Sequence, residues 1–252
     1  MHSLACISWN IHRGRCNDGR LDPDRMLHVL AREVWQAEAD ALILQEADAE
    51  AAPHHGVLDT AAVAAATGLR YLHADPASRL TPQSHGFLGV VVYLHPEIEV
   101  HAVALLDLPG LCPRGAVVVD LQKAGIRLRL VATHLSLSQA LRVVQLRTIG
   151  QHLDRLDHRQ TILCGDLNEW RPWGGLALSQ PVLGRSFSGP ALRSFPAGRP
   201  LLPLDRILTT APGVVMQAKV LDGPGIRAAS DHRPLFAHIS VARISIARVS
   251  IG

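Results

Sequence analysis

The sequence predicts a single α/β domain of two packed β-sheets with helices on their outer faces. Three observations carry that expectation. The chain opens strand, helix, strand between Leu4 and Gln45. Its middle, from Gly86 to Thr133, is a succession of Val- and Leu-rich runs separated by turns. After one long helix the strand-like runs return, and two blocks of strands with interspersed helices bury their apolar faces as packed layers. At 252 residues, with 48% hydrophobic and 19% charged, the chain is long enough for one substantial core and composed like a globular protein.

Taken in order, residues 4–9 read as a short buried strand, followed by a Gly- and Arg-containing loop to Leu21. Asp22-Pro23 opens a helix, with an N-cap carboxylate and proline at the first helical position, and Met26, Leu27, Leu30 and Val34 form its apolar face. Residues 41–45 form a second buried strand that ends at Glu46, and a second helix spans 58–67 and stops at Gly68. Residues 86–93, 98–105, 116–121 and 126–133 read as strands, the last two joined in a hairpin by Lys123-Ala124-Gly125. A long amphipathic helix at 138–156 precedes a buried strand at 161–164. The stretch 171–203 is rich in Pro, Gly and Ser and holds at most one short helix; strands return at 204–208, 214–220 and 234–239. With no linker in evidence, residues 1–239 are expected to form one domain, and 240–252 a tail that either adds an edge strand or is disordered.

Composition narrows the function classes. Lys+Arg 25 against Asp+Glu 22 gives a net charge of +3, too mild by itself to mark a nucleic-acid binder. The N-terminus lacks the basic start and long apolar stretch of a signal peptide, and no apolar run is long enough to span a bilayer. Cys6, Cys16, Cys112 and Cys164 form no C-x-x-C pair, so neither a zinc knuckle nor a disulfide framework is indicated, and a cytoplasmic setting fits. Cys6 and Cys164 sit inside apolar runs and read as core thiols.

The informative feature is where the polar residues fall. Six times an apolar, strand-like run ends at or passes through residues able to bind metal or phosphate. Trp9 is followed by Asn10-Ile11-His12, Gln45 by Glu46, and Thr133 by His134. Gly165 leads to Asp166 and Asn168, Leu204 to Asp205-Arg206, and Ser230-Asp231-His232 precedes the last strand. Each residue alone reads equally as a turn former, a helix cap or a structural histidine. Together they outline a site at the ends of sheet strands.

In combination, Ser8-Trp9-Asn10-Ile11, Leu44-Gln45-Glu46, Thr133-His134-Leu135, Gly165-Asp166-Leu167-Asn168, Leu204-Asp205-Arg206-Ile207 and Ser230-Asp231-His232 resemble the endonuclease/exonuclease/phosphatase superfamily, over nearly the whole chain. The resemblance implies a four-layer, DNase I-like α/β sandwich and metal-dependent cleavage of a P–O bond by water. It places Glu46 on Mg²⁺, with Mn²⁺ able to substitute, and Asn10 and Asp231 assisting. Asp166 is then suited to deprotonate the attacking water, and Asn168, His134 and His232 to stabilise charge on phosphate oxygens. Asp205 resembles the family's histidine-orienting carboxylate. By position alone, His12 and Arg13 add phosphate contacts.

Rival classes lack their signatures. There is no G-x-S-x-G elbow, no H-E-x-x-H and no Gly-Lys-Ser/Thr loop. A non-catalytic binding descendant of the fold would be expected to have lost a site residue, and none is missing. The substrate expected is a phosphodiester, nucleic acid or nucleotide first, which makes the chain nuclease-like. The alternative is a phospholipid or lipid headgroup, because Asn168-Glu169-Trp170, Ser194-Phe195-Pro196-Ala197 and Leu204-Asp205-Arg206 look like uncharacterised bacterial members of the superfamily, some of them associated with phospholipid-synthesis neighbours. An exposed apolar rim at Trp170-Arg171-Pro172-Trp173 would favour it; packing of both indoles beneath the loop would not.

Overall fold

Successive side chains of a strand point to opposite faces, and in this chain both faces of the central strands are buried. In the computed structural model, which describes residues 2–242, β1 (His2–Asn10) sends Leu4 and Cys6 into one apolar core and Ala5, Ile7 and Trp9 into another. β2 (Ala41–Gln45) divides in the same way, with Ala41 and Ile43 on the first side and Leu42 and Leu44 on the second. Burial on both sides is why these strands read as unbroken hydrophobic runs. Each fully buried Leu or Ile contributes about 1.5–3 kcal/mol.

The strands that follow are β3 (Arg70–Tyr71), β4 (Val91–Leu94), β5 (Glu99–Leu108), β6 (Arg114–Lys123), β7 (Ile126–His134), β8 (Gln160–Asp166), β9 (Asp205–Thr209), β10 (Val215–Val220) and β11 (Leu235–Val241). They form a six-stranded sheet, β10-β11-β1-β2-β4-β3, and a five-stranded sheet, β5-β6-β7-β8-β9. Leu4, Ile43, Val92, Val119, Leu130 and Ile162 help fill the space between the sheets. Helices α1 (Pro23–Val29), α2 (Thr60–Thr67), α3 (Gln139–Asp154), α4 (Gln180–Leu183) and α5 (Pro224–Ala229) cover the outer faces. Met26, Val63 and Ile226 pack on Ile7 and Trp9 of the first sheet, while Leu146, Ile149 and Leu183 pack on Val131 and Leu163 of the second. The result is the expected order of helices, sheet, sheet, helices.

Local chemistry sets the element ends. Asp22 caps α1 by accepting the Arg25 N–H at 2.9 Å, and the helix continues into a π-turn at Leu30–Val34. Asp59 caps α2, which ends at Gly68 in the left-handed region. Ala124 and Gly125 both adopt positive φ, the conformation a two-residue hairpin turn demands between Lys123 and Ile126.

Two expectations need correction, and the tail is described only in its first residues. The run 86–93 is strand only from Val91, because Leu88 and Gly89 take left-handed conformations and turn the chain between Phe87 and Val90. The short β3 and α5 were not foreseen; each is too brief to show a period. Of the tail at 240–252, Ser240 and Val241 continue β11, which lies between β10 and β1 rather than at an edge; residues 243–252 lie outside the described residues.

Register delivers the polar residues to one end of the sandwich. In the parallel pair β7/β8, His134 lies opposite Asp166. In the antiparallel pair β8/β9, Asp166 lies opposite Asp205. In the other sheet, the parallel pair β1/β2 sets Asn10 opposite Gln45, next to Glu46. Gly165 makes the β7/β8 approach possible. A Cβ there would lie 1.8 Å from the Thr133 carbonyl oxygen, and its φ of +138° is one that side-chain-bearing residues rarely adopt. Gly165→Ala is therefore expected to destabilise the fold by more than about 3 kcal/mol, read as a large fall in the urea midpoint or as loss of soluble protein.

Candidate active site

Asp166, buried at the end of β8, is the point where the two sheets meet chemically. Its Oδ1 accepts the Asn168 N–H at 3.0 Å. Its Oδ2 accepts from Asn10 Nδ2 at 3.0 Å, and the Nε2 atoms of His134 and His232 stand 3.4 Å and 3.7 Å from the same oxygen. Asn10 Oδ1 accepts the His12 N–H at 2.9 Å, which fixes the amide with its NH₂ toward the carboxylates. Asn168, in the left-handed region, donates its side-chain NH₂ to the Leu135 carbonyl at 2.9 Å.

The two histidines differ in electrostatics. Burial pushes the His134 imidazole down to about 3, with only Asp166 opposing, so it is neutral at ordinary pH. Burial also works against charge on His232, but Asp205 and Asp166 outweigh it and raise the group to about 10. The stronger partner is Asp205, whose Oδ2 accepts from His232 Nδ1 at 2.9 Å and from the Ser194 hydroxyl. That bond leaves Nε2 of His232 directed to the Asp166 side. The backbone of His232 is held as well: its N–H donates to Ser230 Oγ at 3.2 Å, and Ser230 donates to the Asn10 carbonyl. The Phe195 ring packs against the imidazole, with centroids 4.8 Å apart.

Glu46 accepts from Asn10 Nδ2 at 3.4 Å and pairs with Arg13 at 2.7 Å. Arg13 also reaches Glu50, at 3.6 Å. Among the described residues seven non-glycine residues have positive φ, and His12, Arg13, Glu46 and Asn168 are four of them. Backbone strain of this kind persists only where surrounding structure enforces it, and it gathers at functional sites.

On the Glu46 side two carboxylates are candidates to hold a divalent cation, one of them paired with Arg13. Glu46 and Asp231 supply hard oxygen donors, and Asp231 Oδ1 is buried without any hydrogen-bond partner. Asp166, Asp205 and His232 also lie close enough together to hold an ion. There, however, a carboxylate–imidazolium pair already occupies the space: Asp205 Oδ2 has two donors, and a charged His232 offers no lone pair.

One cavity of about 430 Å³ gathers nine of the ten expected residues: Asn10, His12, Arg13, Glu46, His134, Asp166, Asn168, Asp231 and His232. Asp205 is the tenth and stands behind His232. Sequence reasoning missed Arg114, Leu137, Phe195 and Leu202, which also line it, as well as Ser194. None ends a strand-like run; Ser194 and Phe195 lie in a stretch noted for its resemblance, and nothing in it marked them as part of the site. The buried ion pairs of Glu169 with Arg142 and Arg171 were missed for the same reason.

The family model described as the Endonuclease/Exonuclease/phosphatase family matches residues 7–232. The chain belongs to this family. Its fold is shared with several solved structures. A functionally unknown conserved protein from Enterococcus faecalis V583 is 18% identical, with a TM-score of 0.71 over 95% of this chain and 100% of the other. D. rerio TDP2 complexed with single strand DNA product is 16% identical, TM-score 0.65, over 95% and 100%. The mannosyl-6-phosphatase Bt3783 of Bacteroides thetaiotaomicron VPI-5482 is 13% identical, TM-score 0.67, over 95% and 99%. No curated protein matches the sequence. Endonuclease/exonuclease/phosphatase enzymes are phosphoester hydrolases, which fixes the reaction class. No helix among the described residues is long and apolar enough to cross a membrane.

Because His232 titrates above its ordinary 6.5, its contacts with the carboxylates add stability below that pH, and the contribution is lost as pH rises through about 10. Asp205→Asn removes the largest raising influence. NMR titration of the His232 ring is expected to show its midpoint falling from about 10 toward 6.5 in that variant.

Proposed function

We propose that this chain is a divalent-metal-dependent phosphodiesterase that uses an activated water to break a P–O bond. The observation that supports it most is the Asp166 carboxylate, faced by one neutral and one charged histidine across a cavity large enough for a phosphate ester. Asp166 takes the proton of the attacking water. The new P–O bond forms as the ester P–O bond breaks, and the leaving oxygen takes a proton from bulk water to depart as an alcohol, while Asp166 returns its own proton to solvent. His232, charged through the neutral range, donates from Nε2 to a non-bridging oxygen as negative charge builds. Neutral His134 and the Asn168 amide stand beside it for the same task, and Asn10 holds Asp166 in place. Asp205 keeps the His232 tautomer fixed. His12 and Arg13 face the phosphate entrance.

Glu46 and Asp231 are the residues that would hold Mg²⁺, or Mn²⁺ in its place, and the ion when bound supplies a Lewis acid for the phosphoryl and leaving oxygens. Asn10, expected to help through its oxygen, instead turns its NH₂ to Glu46 and would assist only by holding that carboxylate.

As substrate, nucleic acid or a nucleotide is favoured by the likeness to D. rerio TDP2, solved with single strand DNA product. A lipid-headgroup diester is the second reading. No relative named above supports it, but Trp170 and Trp173 are exposed rather than packed beneath their loop. A cytoplasmic setting is part of the proposal and agrees with four free cysteines.

The test is turnover of bis-p-nitrophenyl phosphate and p-nitrophenyl phosphate with Mg²⁺, Mn²⁺ or EDTA. Faster turnover of the diester, abolished by EDTA and by Glu46→Ala, is expected; preference for the monoester would refute the diesterase reading. Asp166→Ala and His232→Ala are expected to lower kcat by about 10²–10⁴ with the fold retained. Absence of turnover together with absence of Mg²⁺ binding in a titration would leave only the non-catalytic descendant. With pH, activity should fall as His232 loses its proton toward about 10.

A further inference from the structure

Twelve large hydrophobic side chains are exposed among the described residues, and seven of them stand on the β5–β6, β7–α3 and β8–β9 connections; on or beside these, Arg114, Leu137, Trp170 and Leu202 line the catalytic cavity. Leu111, 99% exposed, tips the β5–β6 hairpin, and Leu137, 77% exposed, follows β7. The other five lie between Trp170 and Leu202, with Trp173 76% exposed. Leu137, Trp170 and Leu202 line the cavity itself. The loops are tied into one surface. The Gln145 side chain accepts the Ser136 N–H at 2.8 Å and donates to the Pro109 carbonyl at 2.9 Å, while Arg171 donates to Gln139.

The same surface is cationic. From Trp170 to Leu204 the chain holds four arginines and no Asp, Glu or Lys. Arg171 is paired with Glu169 and Arg185 with Asp154. Arg193 and Arg199 have no carboxylate within 4.0 Å among the described residues, and neither does Arg114 in the cavity wall. Exposed apolar side chains clustered beside unpaired cations mark an interaction surface rather than chance exposure.

We propose that this rim docks the protein onto an anionic phospholipid surface, with the mouth of the catalytic cavity facing the lipid. Leucines and indoles enter the boundary between headgroups and acyl chains, and the free arginines meet headgroup charge. Neither Trp170 nor Trp173 donates its indole N–H within the protein, which leaves both free for the polar headgroup layer. Single-stranded nucleic acid would use the arginines and stack on the indoles, but the exposed leucines would have no partner in it. The inference stands apart from the proposed reaction, because binding is read without turnover.

The experiment is co-sedimentation of the full chain with phosphatidylcholine vesicles with and without phosphatidylglycerol, followed also by tryptophan emission. The wild-type chain is expected to sediment with the anionic vesicles and to shift its emission to the blue. Trp173→Ser combined with Leu201→Ser, and Arg193→Glu combined with Arg199→Glu, should each lower the partition by about tenfold or more, since each arginine near the surface contributes about 1 kcal/mol, or roughly fivefold. These four residues lie outside the cavity lining, so turnover of a soluble ester and the melting temperature should stay unchanged. Failure to bind anionic vesicles, equal binding to neutral ones, or full binding by the serine variant would each overturn the proposal. Quenching by a single-stranded oligonucleotide without vesicle binding would assign the rim to nucleic acid instead.

Discussion

Between Gly165 and Thr133 the backbones of β8 and β7 approach so closely that no side chain fits, and the placement of the site follows from that contact. It sets His134 beside Asp166, and the next pairing sets Asp166 beside Asp205. A shift of one residue in either ladder would turn each side chain to the opposite face of the sheet. The apolar pattern resists such a shift, because Leu130, Ala132, Ile162 and Cys164 face the other sheet while Val131 and Leu163 face α3 and α4. Core packing and site geometry are thus enforced by the same register.

The second sheet supplies only half of the site. Asn10 and Glu46 come from the first, and they reach Asp166 because both parallel pairs end on the same side of the sandwich. Where they meet, charge is sorted by contact rather than by residue type. His134 and His232 sit at similar distances from one carboxylate oxygen, yet only His232 has a second carboxylate at hydrogen-bond distance. That single contact makes one imidazole a charged donor and leaves the other neutral, which is how environment divides labour between like residues.

Rigidity and exposure are also divided. Around Asp166 the groups are buried and doubly bonded, and the Arg206 guanidinium pins the following loop by donating to the carbonyls of Glu169, Arg171 and Pro203. A few residues further out, the same loop presents two tryptophans to solvent. A firm, buried floor beneath an apolar, cationic mouth suits the proposed site, which would hold phosphate in fixed geometry while meeting a larger partner.

Much of this was legible in the sequence. The strands read as apolar runs because both of their faces are buried, and the site residues read as polar punctuation at the ends of those runs. Asp22-Pro23, Gly68 and Ala124-Gly125 marked their turns and caps by backbone chemistry that acts locally. What the sequence could not show was anything decided across sheets. The turn at Leu88-Gly89 interrupts a run that looks like strand; Ser194 and Phe195 reach His232 from a loop without periodicity; and the opposite protonation of two histidines depends on the burial of His134 and on the Asp205 carboxylate, 27 residues from His232 in the chain. The sequence by itself determined the layers and marked the candidate site residues at the ends of apolar runs, because hydrophobic period and turn chemistry are local. The tertiary structure decided which of those residues share a proton, a cavity or a surface, because those interactions depend on distance in space.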